Sequence, residues 1–153
     1  PPITAASAAP RSGPEKMRIL DYSMKNKNVT YLGPLSDEEK NAWLASCDMF
    51  IMPSYSSKED FEGFGIVYLE ANVAGKPVIG GRSGGVPEAI DDGRSGFLVE
   101  PKNIEDIAKV VTRLAGDPAL RRKMGEQGKN RAQEWFNWQR QVDRFYRIVN
   151  GSY

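Results

Sequence analysis

Three short apolar runs, M-F-I-M at 49–52, P-V-I at 77–79 and F-L-V at 97–99, each meet a glycine or proline on one side and are separated by stretches with helical spacing. A continuous apolar run of this length predicts a strand covered on both faces, and a proline or glycine beside it marks the strand's limit. A fourth β-rich run, Val29 to Leu32, ends at Gly33-Pro34. Strands alternating with helices predict an α/β fold, Rossmann-like, with three α/β/α layers and a mainly parallel sheet.

The helices between these runs carry their own start signals. Ser12, Pro14 and Glu15 form an S-x-x-E pattern with proline just inside it, and a helix to about Lys25 follows, with Met17, Leu20 and Met24 on its apolar side. Ser36-Asp37-Glu38-Glu39 is a second capping box, ahead of Trp43, Leu44 and Cys47. Beyond Pro101, the residues Ile104, Ile107, Ala108, Val111 and Leu114 recur at helical spacing and predict an amphipathic helix packed on the sheet. Asp117-Pro118 opens another helix, whose Arg121, Arg122, Lys123 and Lys129 read as a solvated basic face, with contact to a membrane surface or an acidic partner as the alternative. Residues 1–11 read as an extended arm, 12–134 as the main domain, and 135–153 as an aromatic helix that packs back on the domain or on a partner.

Composition narrows the chemistry. The 153 residues suffice for one domain with a core, and a net charge of +1 gives no global reason to bind nucleic acid. Histidine is absent, which removes His-based acid/base catalysis, Ser-His triads and His-ligated zinc together. Cys47 is the only cysteine, so an internal disulfide is impossible, and its apolar context predicts an inert reduced thiol. With no long apolar span and no leader pattern, the chain reads as soluble and cytoplasmic.

The chemistry that remains converges on E-G-F-G-I-V-Y-L-E at 62–70. Gly63 and Gly65 let backbone approach a ligand closely, and Phe64 to Ala71 is good helix material. The first N–H groups of a helix have no carbonyl partners within it and carry the positive end of the macrodipole, so a phosphate is a natural guest there. Carboxylates repel phosphate, but each can accept hydrogen bonds from two vicinal hydroxyls. Glu62, just before the helix start, and Glu70, about two turns in, are therefore placed to hold two polyols flanking one diphosphate.

Six landmarks in order resemble the C-terminal, donor-binding domain of the GT-B fold retaining glycosyltransferases of family 4, also called glycosyltransferase group 1. They are N-V-T-Y-L-G-P-L at 28–35, D-M-F-I-M-P-S at 48–54, E-G-F-G-I-V-Y-L-E-A at 62–71, G-K-P-V-I at 75–79, S-G-G-V-P-E at 83–88 and G-F-L-V at 96–99. The resemblance implies that a UDP- or GDP-sugar is the substrate, with no cofactor and no metal. It places Glu62 on hydroxyls of the transferred sugar, as the catalytic-site residue of this domain, and Glu70 on the ribose. The backbone amides of Gly63, Phe64, Gly65 and Ile66 would receive the distal phosphate, Gly33 to Leu35 would face the base, and Ser54 would lie on the cleft floor. Gly84 and Gly85 either approach the ligand or only permit the chain to turn, and Glu88 either caps a helix or is structural.

Where the chain departs from the family, the resemblance implies losses. The family pairs this domain with an acceptor-binding domain, and opens it with strands that lie at the sheet centre, between the Val29 and Met49 strands. Ile3 to Ala6 as a makeshift strand, exchange of segments between two chains, or a complement on another chain would each repair the sheet. The family's basic pair beneath the diphosphate has no match here; Lys58 and Arg82 are the nearby cations, either substitutes or solvated surface charges. Three rivals follow: a non-catalytic nucleotide-sugar binding module, a glycosidase using Glu62 and Glu70, and a structural remnant that binds nothing.

Overall fold

A computed structural model describes residues 5–7, 14–56 and 63–151, and the chain divides into two units, one ending at Ser46 and the other beginning at Cys47. The first unit runs β1 (Ala5–Ser7), α1 (Pro14–Lys25), β2 (Val29–Tyr31) and α2 (Asp37–Ser46). β1 pairs with β2 in parallel, Ala5 opposite Val29 and Ser7 opposite Tyr31, with α1 as the crossover. A strand therefore forms inside the stretch expected to be an arm, close to the makeshift strand considered for Ile3 to Ala6. The capping box at α2 is closed in both directions: the Ser36 N–H donates to Glu39 Oε2 at 2.8 Å, and the Glu39 N–H donates to Ser36 Oγ at 3.2 Å. The first capping signal includes Ser12, which lies outside the described residues.

The second unit runs β3 (Phe50–Met52), α3 (Ile66–Val73), β4 (Val78–Gly81), α4 (Val86–Ala89), β5 (Gly96–Val99), α5 (Ile104–Gly116), α6 (Pro118–Trp135) and α7 (Trp138–Val149). Its sheet has the order β3-β4-β5, and both ladders are parallel. The expected α/β class and parallel pairing are both present.

Side-chain alternation along β4 builds the layers. Ile79 joins Val99, Leu114 and Met124 in a buried cluster, with Phe97, Ile107, Val110 and Val111 packed against it, so α5 and α6 cover this face. On the other face a Cβ at Gly80 would meet Ile90, Val86 and Tyr68, so glycine makes room for the elements that carry the site. Each fully buried aliphatic or aromatic side chain here contributes about 1.5–3 kcal/mol relative to exposure.

Several expectations are corrected. The run at 49–52 was expected to be covered on both faces, yet β3 is an outer strand of its three-stranded sheet and Ile51 is 38% exposed. On α5 the packed stripe is Ile107, Val110, Val111 and Leu114; Ile104, at the first turn, is 81% exposed, and Ala108 is exposed too. Arg121 does not belong to a solvated face. It is half-buried, donates to the carbonyls of Leu114 and Ala115 at 2.6 and 2.9 Å, and pairs with Asp48 at 3.2 Å. A cation there suits the carboxyl end of α5, where carbonyls have no helical partners.

Cys47 is half-buried, and burial pushes its thiol up from its ordinary value, against an opposing pull from Lys76. The thiolate is thereby disfavoured, which suits the inert thiol expected. No residue of α7 is buried, and Trp138, Phe145 and Tyr146 are all exposed. Among the described residues no helix is long and apolar enough to cross a membrane.

Candidate donor-binding site

Loops at the carboxyl ends of β3, β4 and β5 supply the candidate site, the end at which ligands bind in open parallel sheets. The core sets the floor. Tyr68 is fully buried and its hydroxyl donates to the Met52 carbonyl, while Ser54 Oγ lies 3.3 Å from the same hydroxyl. A Cβ at Gly81 would collide with the Ser54 carbonyl oxygen, so glycine is required where β4 passes beneath that loop. Ser54 is half-buried beside Tyr68 at the carboxyl end of β3.

Helix α3 starts at Ile66, two residues later than the expected Phe64. The cause is Gly65, whose φ of 72° and ψ of 63° are left-handed and cannot continue a right-handed helix. No side chain caps this end, and Tyr68 is the first residue whose N–H is bonded back, to the Gly65 carbonyl at 3.0 Å. Ile66, the first residue of the helix, is exposed. Glu70, one turn on, is half-buried.

Facing this start is the turn after β4. Gly84 has a φ of 56°, and the Gly85 N–H donates to the Gly63 carbonyl at 2.9 Å. A Cβ on Gly85 would lie 2.5 Å from that oxygen and 3.4 Å from the Phe64 Cα. The two glycine segments are therefore in backbone contact, and the close approach that Gly85 makes is to the Gly63 backbone. The Ser56 N–H donates to Ser83 Oγ at 2.9 Å and joins the same loops a second time. Beside them a cleft of about 790 Å³ is lined by Tyr55, Ser56, Arg82, Ser83, Pro101 and Lys102 among others.

The remaining expected residues fall as follows. Glu62 and Lys58 lie outside the described residues. Gly33, with a φ of 70°, and half-buried Leu35 follow β2 in the first unit. Arg82 is exposed and donates to Asp92 at 2.8 Å, so it is engaged on the surface. The Glu88 side chain is exposed, and it is its carbonyl that is used, accepting from Arg131.

Two residues that matter here escaped the sequence reading. Asn72 is buried on α3, and its Nδ2 donates to the carbonyls of Lys76 and Ser95 at 2.9 and 3.2 Å, tying α3 to the chain on either side of β4. A lone asparagine among apolar helix residues was the available signal. Arg131 donates to the carbonyls of Ala89 and Glu88, and its cationic face lies 5.0 Å from the Phe136 ring centre. Burial pushes its guanidinium down from the ordinary value and Asp91 opposes that, and it remains charged.

Residues 13–131 match the family described as glycosyl transferases group 1. This chain belongs to that family. A D-inositol 3-phosphate glycosyltransferase of Arthrobacter sp. (strain FB24) is 44% identical over 112 residues, covering 73% of this chain and 25% of the relative. A GDP-mannose-dependent alpha-(1-6)-phosphatidylinositol monomannoside mannosyltransferase of Mycolicibacterium smegmatis is 35% identical over 127 residues, covering 82% and 33%. The group 1 chain thus spans a quarter to a third of the length of these relatives. Among solved structures, the C-terminal domain of a glycosyl transferase group 1 family protein (LpcC) from Francisella tularensis has a TM-score of 0.74 and 28% identity, covering 88% of this chain and 70% of that one. Anabaena HepE in complex with UDP-glucose has a TM-score of 0.75 at 21% identity, covering 90% and 37%, and shows the same fold over that span.

Proposed function

We propose that this chain is the donor-binding part of a retaining glycosyltransferase, one that holds a nucleoside-diphosphate sugar while an acceptor domain presents a hydroxyl. The observation that carries it is the left-handed start of α3 at Gly65, with Ile66 exposed and Gly63 bonded to Gly85. Unpaired helix-start amides between two glycine segments suit the distal phosphate. Glu70, four residues into α3, suits the ribose hydroxyls, and Glu62 the hydroxyls of the sugar. The family match, a relative named as GDP-mannose-dependent and a structural neighbour holding UDP-glucose all support a nucleotide sugar as donor.

A second reading, a non-catalytic nucleotide-sugar binding module, is favoured by the engagement of Arg82 with Asp92, since a leaving diphosphate needs stabilising charge. Calorimetry with UDP- and GDP-sugars followed by a transfer assay separates the two. Binding with transfer to an acceptor supports the transferase, binding without turnover supports the module, and no binding of either donor rejects both.

A further inference from the structure

The carboxyl-terminal end of α6 and the residue after it meet Phe64, between Gly63 and Gly65, and the far end of the helix that follows Gly85. Arg131 donates from Nη1 to the Ala89 carbonyl at 2.7 Å and from Nη2 to the Glu88 carbonyl at 2.8 Å. Those carbonyls belong to the last turn of α4, where a four-residue helix has no N–H groups of its own to offer. The face of the same guanidinium lies 5.0 Å from the Phe136 ring centre, and Phe136 meets Phe64 with ring centres 5.3 Å apart. Phe64 sits between Gly63 and Gly65, and the other end of α4 begins directly after Gly85. The contacts close a circuit: Gly63 to Gly85, along α4 to Arg131, across to Phe136, and through Phe64 back to Gly63. Only a planar fork with a stackable face can serve both arms at once; an ammonium is a point donor without a face.

We propose that Arg131, together with Phe136, is a positioning residue that sets the separation of the Gly63–Gly65 segment and the Gly84–Gly85 turn for a diphosphate. This rests on the donor-site reading above. Neither side chain is assigned a contact with ligand; each acts by fixing backbone whose amides and glycines would receive the phosphate.

The test uses the 153-residue chain and its Arg131→Met, Arg131→Lys and Phe136→Leu variants. Each is titrated calorimetrically with UDP and GDP, and with UMP and GMP, which lack the distal phosphate; exchange of the Gly85 amide is followed in parallel. Loss of preorganisation in Arg131→Met is expected to weaken the diphosphate that wild type binds about tenfold, and its monophosphate less than about twofold. Exchange at Gly85 is expected to accelerate at a temperature where the variant is still folded. Arg131→Lys should rescue neither, and Phe136→Leu should fall between. A structural role alone would lower the melting temperature and leave the ratio of the two affinities unchanged. Equal diphosphate affinity in wild type and all three variants, or parallel loss for di- and monophosphate, overturns the positioning role while leaving the donor site standing. Failure of wild type to bind UDP or GDP overturns the donor-site reading and this proposal with it.

Discussion

Gly85 donates its N–H to the carbonyl of Gly63 at 2.9 Å, and a single methyl group on Gly85 would sit 2.5 Å from that oxygen. The obstacle is backbone, which cannot rotate away as a side-chain end can. Gly85→Ala is therefore expected to push the two segments apart, at a cost of about 1–3 kcal/mol in stability. Urea unfolding measures that loss, and calorimetry with the bound nucleoside diphosphate should show weaker affinity in the folded variant.

The two carboxylates are expected to act on different parts of a donor. Glu70→Ala should weaken nucleotide binding about tenfold, the scale of one charge-assisted hydrogen-bond pair. Glu62→Ala should reduce only the increment that the sugar adds over the bare nucleotide. Equal affinity of wild type and both variants for a UDP- or GDP-sugar would overturn the site assignment.

Asn72 tests how α3 is held. Asn72→Ala removes a donor from the carbonyls of Lys76 and Ser95, the latter keeping only the Val78 N–H at 3.4 Å, which is expected to cost about 1–3 kcal/mol. Asn72→Asp should cost more, because it points an anion at two carbonyl oxygens. Gly128 lies so close that a Cβ there would be 2.5 Å from Asn72 Nδ2, so Gly128→Ala should destabilise through the same contact. Denaturant midpoints of the three variants check the order.

The capping box of α2 has a pH signature. Hydrogen bonds from the Ser36 backbone and hydroxyl hold the Glu39 carboxyl below its ordinary value of 4.5. A carboxyl whose folded-state value is depressed adds stability above its unfolded value, and that stability is lost as pH falls through the folded one. Ser36→Ala is expected to cost about 1 kcal/mol at neutral pH. The difference between wild type and Glu39→Ala should shrink on acidification below pH 4.5, since that variant removes the carboxylate held by the Ser36 N–H; a constant difference would show that the pairing is not pH-linked.

Local signals were legible wherever the chemistry is local. The Ser36 box, the Asp117-Pro118 helix start and the strands ending at Met52 and Val99 all stand within a residue or two of their expected places. The start of α3 was misplaced by two residues because Gly65 reads equally well as a flexible helical residue or as a left-handed stop, and only its φ of 72° distinguishes them. Ile104 and Arg121 misled for the converse reason. Periodicity says which residues share a helix face, not which end of that face the sheet covers, and a cation in a basic run looks solvated until an exposed helix end accepts it.

From sequence alone came the α/β alternation, the family and the two carboxylates around a glycine-framed helix start, because helix period, capping and short motifs are properties of neighbouring residues. The tertiary structure decided that Gly63 and Gly85 touch, that the Tyr68 and Ser54 hydroxyls meet, and that Arg131 spans α4 and Phe136. Apart from Arg131 and its near neighbour Phe136, those partners are separated by 14 to 43 residues, as with Ser54 and Tyr68 or Glu88 and Arg131. Hydrogen bonds and close contacts over such intervals depend on which strands become neighbours and which glycines let backbone approach, and no local pattern encodes that.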